Sequence, residues 1–176
     1  MRYAAIAALA LLATACDQSG AQQRVELEPR EPTASEPLPS PDTEGAVWEP
    51  HTLDSSLRFG KPEQDPLFTM QCDDGTLVLT RNSPADDGAK AMMAMIGNGR
   101  ISRVYVDATT TGDQSAWEGR YPANDEALDV FLGGGRVEVT VPGAGTFDLA
   151  GSEAPSRLVI DCRRMSEPQE APPPAT

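Results

Sequence analysis

Apolar and polar side chains alternate over short stretches in the middle of the chain, which is the pattern of half-buried β-strands. Residues 67–72 and 76–81 precede the alternating segment and are two short runs of β-forming residues. The segment Asp73-Asp74-Gly75 between them ends in a glycine, which readily adopts the positive φ that a tight hairpin turn requires. We therefore predict an antiparallel hairpin over residues 67–81.

A second hairpin is predicted around Asn98-Gly99, a residue pair typical of two-residue type I′ turns. After the turn, residues 101–108 alternate, so that Arg103 and Tyr105 share one face and the valines share the other. Before the turn, residues 91–96 are rich in alanine and methionine, which also favour helix. The turn favours a strand over this segment, and a short helix is the alternative.

The rest of the region adds short elements of both kinds. Residues 116–121 are predicted to form a strand, and Asn124 is predicted to cap a short helix over residues 125–132. A third hairpin is predicted over residues 136–149, and residues 157–163 are compatible with a strand or a helix, with helix favoured. Six or seven short strands predict a mainly β fold. Its form is either a small antiparallel sandwich or an open barrel, with one or two short helices.

The first fifteen residues predict a secretory signal peptide. Arg2 precedes an apolar run from Tyr3 to Ala13, which is shorter than the roughly 20 residues that a membrane-spanning helix needs. Small residues follow this run and end at Cys16. Cleavage before this cysteine would deliver the mature chain to the periplasmic side of a bacterial cell envelope.

The motif Ala13-Thr14-Ala15-Cys16 resembles the lipobox of bacterial lipoproteins. The resemblance implies that Cys16 is acylated on its sulfur and becomes the mature N-terminus, so membrane lipid would be a partner through this residue. The family prefers leucine where this chain has Ala13, and ordinary signal peptidase would cut the same bond without adding lipid. In enteric lipoproteins an aspartate after the cysteine is an inner-membrane signal, so Asp17 favours the inner over the outer membrane.

Two segments are predicted to be disordered. Residues 17–45 consist largely of Gln, Glu, Pro and Ser, and they lack the apolar surface needed to offset the entropy of ordering. Residues 165–176 have a similar composition. We therefore predict a lipidated cysteine and acidic tether over residues 16–45, one β-rich domain over residues 46–164, and a loose C-terminal tail.

The three cysteines predict one disulfide. In an oxidising envelope two can pair and one is left over, and lipidation of Cys16 would leave Cys72 and Cys162 to pair. The segments 68–72 and 160–163 also resemble parts of small secreted domains of alphaproteobacteria, which place one cysteine in an early strand and another in a closing Cys-Arg element. That resemblance supports the disulfide and the fold class and implies no activity.

Charge and motif content exclude several functions. A formal charge of −13 repels a phosphate backbone, so no nucleic-acid partner is expected. No His/Cys group has zinc spacing and no glycine-rich phosphate loop precedes a helix, so no metal or other cofactor is expected. The single histidine, His51, lies beside the predicted tether, where the rigid geometry of a catalytic triad is not expected.

A partner-binding face is the most specific functional expectation. Arg103, Tyr105, Trp117 and Tyr121 place aromatic rings and a cation on strands predicted to be neighbours, and such residues are enriched at interfaces. The alternative is that Trp117 and Tyr121 fill the core. We expect a lipid-anchored, non-enzymatic binding or support module for an unidentified envelope component. The alternatives are an envelope enzyme such as a hydrolase, and an unanchored secreted binding or inhibitor protein.

Overall fold

The computed structural model describes residues 36–51, 55–112 and 114–166. Within these ranges, nine antiparallel strands form one sheet that curls into an open half-barrel. The mainly β prediction is confirmed, and the strands number nine rather than six or seven. The strands are β1 (Val47–Pro50), β2 (Ser56–Gly60), β3 (Phe68–Asp73), β4 (Thr76–Arg81), β5 (Lys90–Gly97), β6 (Arg100–Thr111), β7 (Gln114–Pro122), β8 (Val137–Thr140) and β9 (Thr146–Leu149).

The order of strands across the sheet is β1-β2-β3-β4-β7-β6-β5-β8-β9. The hairpin predicted around residues 73–75 is β3–β4, and its turn residues Asp74 and Gly75 have φ of 46° and 76°. The hairpin around Asn98-Gly99 is β5–β6, with φ of 49° and 74° at the two turn residues. Residues 90–97 therefore form a strand, because the turn pairs them with β6.

Both predicted helices are present, and they differ from the prediction in the capping residue of the first and the end of the second. A 3-10 helix spans Glu126–Phe131, and its cap is Asp125 rather than Asn124, because the Asp125 carboxylate accepts a hydrogen bond from the Ala127 amide. Helix α1 spans Glu153–Ser166, so the closing element is a helix that continues two residues beyond the predicted domain end. Strands β1 and β2 were not predicted.

The core lies on the inner face of the curled sheet. Side chains from eight strands, β2 to β9, meet the 3-10 helix and α1 there, and α1 contributes Leu158 and Val159. A disulfide joins Cys72 on β3 to Cys162 on α1, which confirms the predicted pair. The half-barrel is therefore covered on its inner side by a helix that is covalently fixed to the sheet.

Residues 36–45 correct the predicted tether, because the structure places them along the domain. The Leu38 amide donates to the Gly143 carbonyl at 2.9 Å, and the Lys61 ammonium lies 2.6 Å from the Asp42 carboxylate. We call residues 36–42 the strap. Composition predicted disorder here, but a backbone hydrogen bond, a hydrogen bond to the Ser40 hydroxyl and an ion pair link the strap to the domain. The predicted leader, Cys16, the tether up to residue 35 and the tail from residue 167 lie outside the described residues.

Candidate functional site

Four large apolar side chains are exposed together on the outer face of hairpin β5–β6. The two-residue turn sets the register, so that Ile96 lies opposite Ile101 and Met92 lies opposite Tyr105. The exposed fractions are 74% for Tyr105, 66% for Ile101, 47% for Ile96 and 38% for Met92. We call these four residues the outer strip. Pairs directly opposite each other have Cβ atoms about 5 Å apart, so the two side chains of each pair are neighbours, and the pair Ala94–Arg103 lies between the two apolar pairs.

Charged and polar groups border the outer strip. Arg103 is paired with Ala94 between the two apolar pairs, and it is exposed. At one end of the strip, the Lys90 ammonium lies 2.7 Å from the Asp107 carboxylate. On the neighbouring strand, Glu138 of β8 is paired with Ile96. The surface therefore has two apolar pairs with the positive charge of Arg103 between them, and charges of both signs border it.

The structure separates the four residues predicted to form one binding face. Arg103 and Tyr105 lie on the outer face of β6, as the alternation predicted. Trp117 lies in the core and is only 7% exposed, which is the position given by the core alternative. Tyr121 shares the inner-face parity of Trp117, because it pairs with the buried Leu77.

Tyr121 nevertheless touches the strand that carries the outer strip. Its phenol donates a hydrogen bond to the Tyr105 carbonyl at 2.6 Å, and burial raises the pKa of this phenol. The ring lies beside Gly119, where an added Cβ would come within 2.9 Å of both the Tyr105 oxygen and the Tyr121 ring. Gly119 thus allows Tyr121 to reach the backbone of β6, and Tyr121 fixes the strand at Tyr105.

Three of the four residues of the outer strip were not predicted from the sequence. Met92, Ile96 and Ile101 were not singled out, although the Asn98-Gly99 turn contained the needed signal. A two-residue turn fixes which residues face each other, so the pairs 96–101 and 92–105 follow from the turn position. The alternation of β6 alone was not sufficient to find the strip.

A cavity with a volume of about 700 Å³ lies apart from the outer strip and is lined in part by His51. Asp65 and the buried Ser83 also line it, together with Asn82, whose amide donates to the Pro66 carbonyl. Among the residues that the structure describes, no hydrogen bond joins His51 to Asp65 or Ser83. The cavity offers polar groups to a ligand, but it contains no linked nucleophile and base within the described ranges.

Arg81 is the one arginine buried in the inner face of the described sheet. Its guanidinium donates to the carbonyls of Leu67, Asn82 and Ala144, and it lies 4.6 Å from the centre of the Phe147 ring. Burial lowers the pKa of Arg81 to about 10. These contacts connect β4 to the β8–β9 turn, so we assign Arg81 a structural role in closing the half-barrel.

Fold and surface define the class as a disulfide-closed antiparallel half-barrel with an exposed apolar face. Within the described ranges, no group of three or more His, Cys, Asp or Glu side chains is placed to hold a metal ion. In the same residues, no helix has the length and apolar content needed to cross a membrane. Comparisons with protein-family models, curated proteins and solved structures found no match to this chain.

Proposed function

We propose that this protein is a lipid-anchored envelope protein whose β-rich domain is a non-enzymatic binding module. In this proposal, Cys16 carries the lipid and the outer strip is the surface that contacts a partner. The lipobox-like motif that ends at Cys16 supports the anchor. The exposure of Met92, Ile96, Ile101 and Tyr105 as two opposed pairs on one face of hairpin β5–β6 is the observation that carries the binding role.

The composition of the outer strip supports a protein partner. Tyrosine, methionine and arginine are enriched in protein interfaces, and this surface contains Tyr105, Met92 and Arg103. An interface commonly has a desolvated apolar centre and a polar rim, which is the arrangement around Ile96 and Ile101. Isolated apolar residues on a surface need no explanation, but two opposed pairs on one hairpin form a patch.

The charge of the chain narrows the class of partner further. With a formal charge of −13, the protein would be repelled by anionic head groups and by nucleic acid. The partner that fits best is another protein of the envelope that presents an apolar surface with charges of both signs at its edge. Such a surface would match the charges of Lys90 and Glu138 beside the strip and the charge of Arg103 between its two apolar pairs.

Site-specific photo-crosslinking in cells tests the contact. A photoreactive phenylalanine at Tyr105 should give a discrete adduct, and Ile101→Lys in the same chain should remove that adduct. The same probe at Ile160 is the control, because Ile160 is 40% exposed on α1, away from the strip. Equal labelling at both positions, or none at Tyr105, would refute the contact. An adduct of twice the chain mass would identify a second copy as the partner.

Intact mass spectrometry of the mature protein tests the anchor. The wild-type chain should begin at Cys16, carry acyl mass and sediment with membranes, whereas Cys16→Ser should be soluble or unprocessed. An unmodified Cys16 in the soluble fraction would contradict the anchor and favour the unanchored secreted form. The crosslinking result is independent of this outcome, because the strip lies in the folded domain.

A further inference from the structure

The strap contacts the domain through every second residue. Prolines occupy positions 37, 39 and 41, and the residues between them make the contacts. The Leu38 amide donates to the Gly143 carbonyl at 2.9 Å, the Ser40 hydroxyl oxygen accepts from the Thr146 amide at 3.1 Å, and the Asp42 carboxylate pairs with Lys61 at 2.6 Å. This alternation is typical of an extended chain lying along a surface.

The β8–β9 turn leaves room for the strap at Gly145. This residue has a φ of 76°, and an added Cβ would lie 2.9 Å from the Ser40 Cα and 3.0 Å from the Pro39 carbonyl oxygen. Gly143, two residues earlier, also has a positive φ of 82°, but no atom lies within 4 Å of an added Cβ there. The strap therefore crosses directly over Gly145 and leaves the side-chain direction of Gly143 open.

A cavity of about 320 Å³ adjoins the strap at Leu38. Besides the strap, its walls include apolar residues from three other segments, and Trp117 is one of these residues. The Trp117 Nε1 is buried and has no hydrogen-bond partner within the part of the chain that the structure describes. Buried indole N–H groups usually have an acceptor, so this is a donor that an entering carbonyl could satisfy. The other lining residues are Glu36, Pro84, Ala85, Asp86, Ala89, Pro142 and Gly143.

We propose that the surface beneath the strap is a binding site for extended, acidic, proline-rich peptides, and that the strap is its intramolecular ligand. We call this surface the strap groove, and it consists of Lys61, Trp117 and the β8–β9 turn around Gly145. Prolines fix φ near the extended value, so such a peptide loses little conformational entropy when it binds. Recognition comes from two backbone groups of the groove, the apolar walls beside the leucine and a lysine for the acidic residue.

The strap would compete with any peptide added from outside. A ligand tethered by a short linker has an effective concentration in the millimolar range, so the groove of the intact chain is largely occupied. A peptide from another protein, or from a second copy, would bind well only after the strap is displaced. The strap groove and the outer strip are different surfaces, so this inference goes beyond the proposed function and does not depend on it.

A peptide titration tests the site directly. The probe is a synthetic peptide of residues 34–45, added to the isotope-labelled mature chain carrying Cys16→Ser and followed by NMR. The further substitution Leu38→Asp in the chain should release the strap, and the Kd for the peptide should then fall at least tenfold. Shifts are expected at the β8–β9 turn and at the Trp117 indole N–H. A scrambled peptide that binds equally well, or no shift in the Leu38→Asp chain, would overturn the proposal.

Two glycine variants separate the groove from general strain. Gly145→Ala and Gly99→Ala each place a side chain at a positive φ, but only the first meets the strap, because no atom lies within 4 Å of an added Cβ at Gly99. In an otherwise wild-type chain, Gly145→Ala should remove the exchange protection of the Leu38 amide. In the Leu38→Asp chain it should weaken peptide binding at least tenfold. Gly99→Ala, in the β5–β6 turn, should preserve both, and equal effects of the two substitutions would contradict a site at Gly145.

A third variant keeps the test decisive if Gly145→Ala does not fold. In the Leu38→Asp chain, Lys61→Ala should weaken binding of the parent peptide severalfold. It should also abolish the difference between that peptide and one carrying Asp42→Asn. If the Asp42→Asn peptide binds as tightly as the parent peptide to the chain that retains Lys61, the acidic residue is not recognised, and the peptide class proposed here is wrong.

Discussion

Hairpin β5–β6 carries apolar side chains on both of its faces, but only one face is covered. On the inner face, Met93, Met95, Val104 and Val106 are almost completely buried. On the outer face, the outer strip is between 38% and 74% exposed. The same two strands thus present one surface that is part of the core and another that meets solvent.

The difference shows which apolar residues the fold requires. A solvated sheet face normally has polar side chains, and the outer face of β3 follows this rule with Thr69 and Gln71. The outer strip departs from this rule, because apolar side chains that are 38% to 74% exposed take the positions of polar ones. Burial contributes about 25 cal/mol per Å², so the exposed part of these side chains adds nothing to folding until a partner covers it.

The largest expected effect comes from removing the covalent link that holds the cover of the inner face. Replacing both Cys72 and Cys162 with alanine opens a 90-residue loop. Chain entropy then predicts a loss of up to about 4.6 kcal/mol in the free energy of unfolding. Urea unfolding measured with and without reductant checks this value. Equal stability of the oxidised wild type and the double variant would show that α1 packs well without the link.

Two methionines on the same strand compare the faces most directly. Met95→Ala should reduce the free energy of unfolding by about 3 kcal/mol, because Met95 is completely buried on the inner face. Met92→Ala, three residues away on the outer face, should change it by less than about 0.5 kcal/mol. Chemical unfolding of both variants measures the difference. Similar losses at the two positions would mean that the outer strip also supports the fold.

The turn that fixes the register should be sensitive at Asn98. Its amide donates to the Val130 carbonyl and accepts from the Gly135 amide, while its φ is positive. Asn98→Ala should cost about 2 kcal/mol, because it removes these bonds and strains the turn. Asn98→Gly should cost less, since glycine tolerates the conformation. Thermal unfolding of both variants separates the two contributions, and equal losses would assign the whole effect to the side-chain bonds.

The smallest effect is expected at the strap and depends on pH. The hydrogen bond and charge of Lys61 lower the pKa of the Asp42 carboxyl in the folded chain. The pair therefore stabilises the docked strap above the unfolded pKa of about 3.9, and this contribution is lost as the pH falls through the lower folded value. Exchange protection of the Leu38 amide should decline over that range in the wild type. The Lys61→Ala chain should show lower protection of the Leu38 amide above this pH range and a weaker decline within it. Identical pH profiles of the two chains would exclude a contribution of the Asp42–Lys61 pair.

Local patterns were sufficient to predict the hairpins and the disulfide. Asn98-Gly99 and Asp74-Gly75 gave the turns because their backbone needs are specific to few residues. The cysteine count gave the pair. Strands β1 and β2 were missed because what holds them is distant in sequence. The Phe59 ring of β2 lies 6.4 Å from the Phe147 ring, and the Trp48 indole of β1 donates to the Ala150 carbonyl.

The candidate site could be predicted only in part, for a geometric reason. Alternation placed Arg103 and Tyr105 outside correctly, but it could not place Trp117 on the inner face without the pairing of β7 to β4. The strap was missed because composition averages over a segment. The information lay in the position of each proline between Leu38, Ser40 and Asp42, and composition does not record position.

The strap also determines the maximum distance between Cys16 and the folded domain. With the strap docked, 20 residues separate Cys16 from Glu36, and a fully extended chain of that length spans at most about 70 Å. With the strap and residues 43–45 released, 30 residues separate Cys16 from Ala46 and the limit rises to about 105 Å. If Cys16 is in a bilayer as proposed, an occupant of the strap groove would extend the reach of the domain by about half while leaving its fold unchanged.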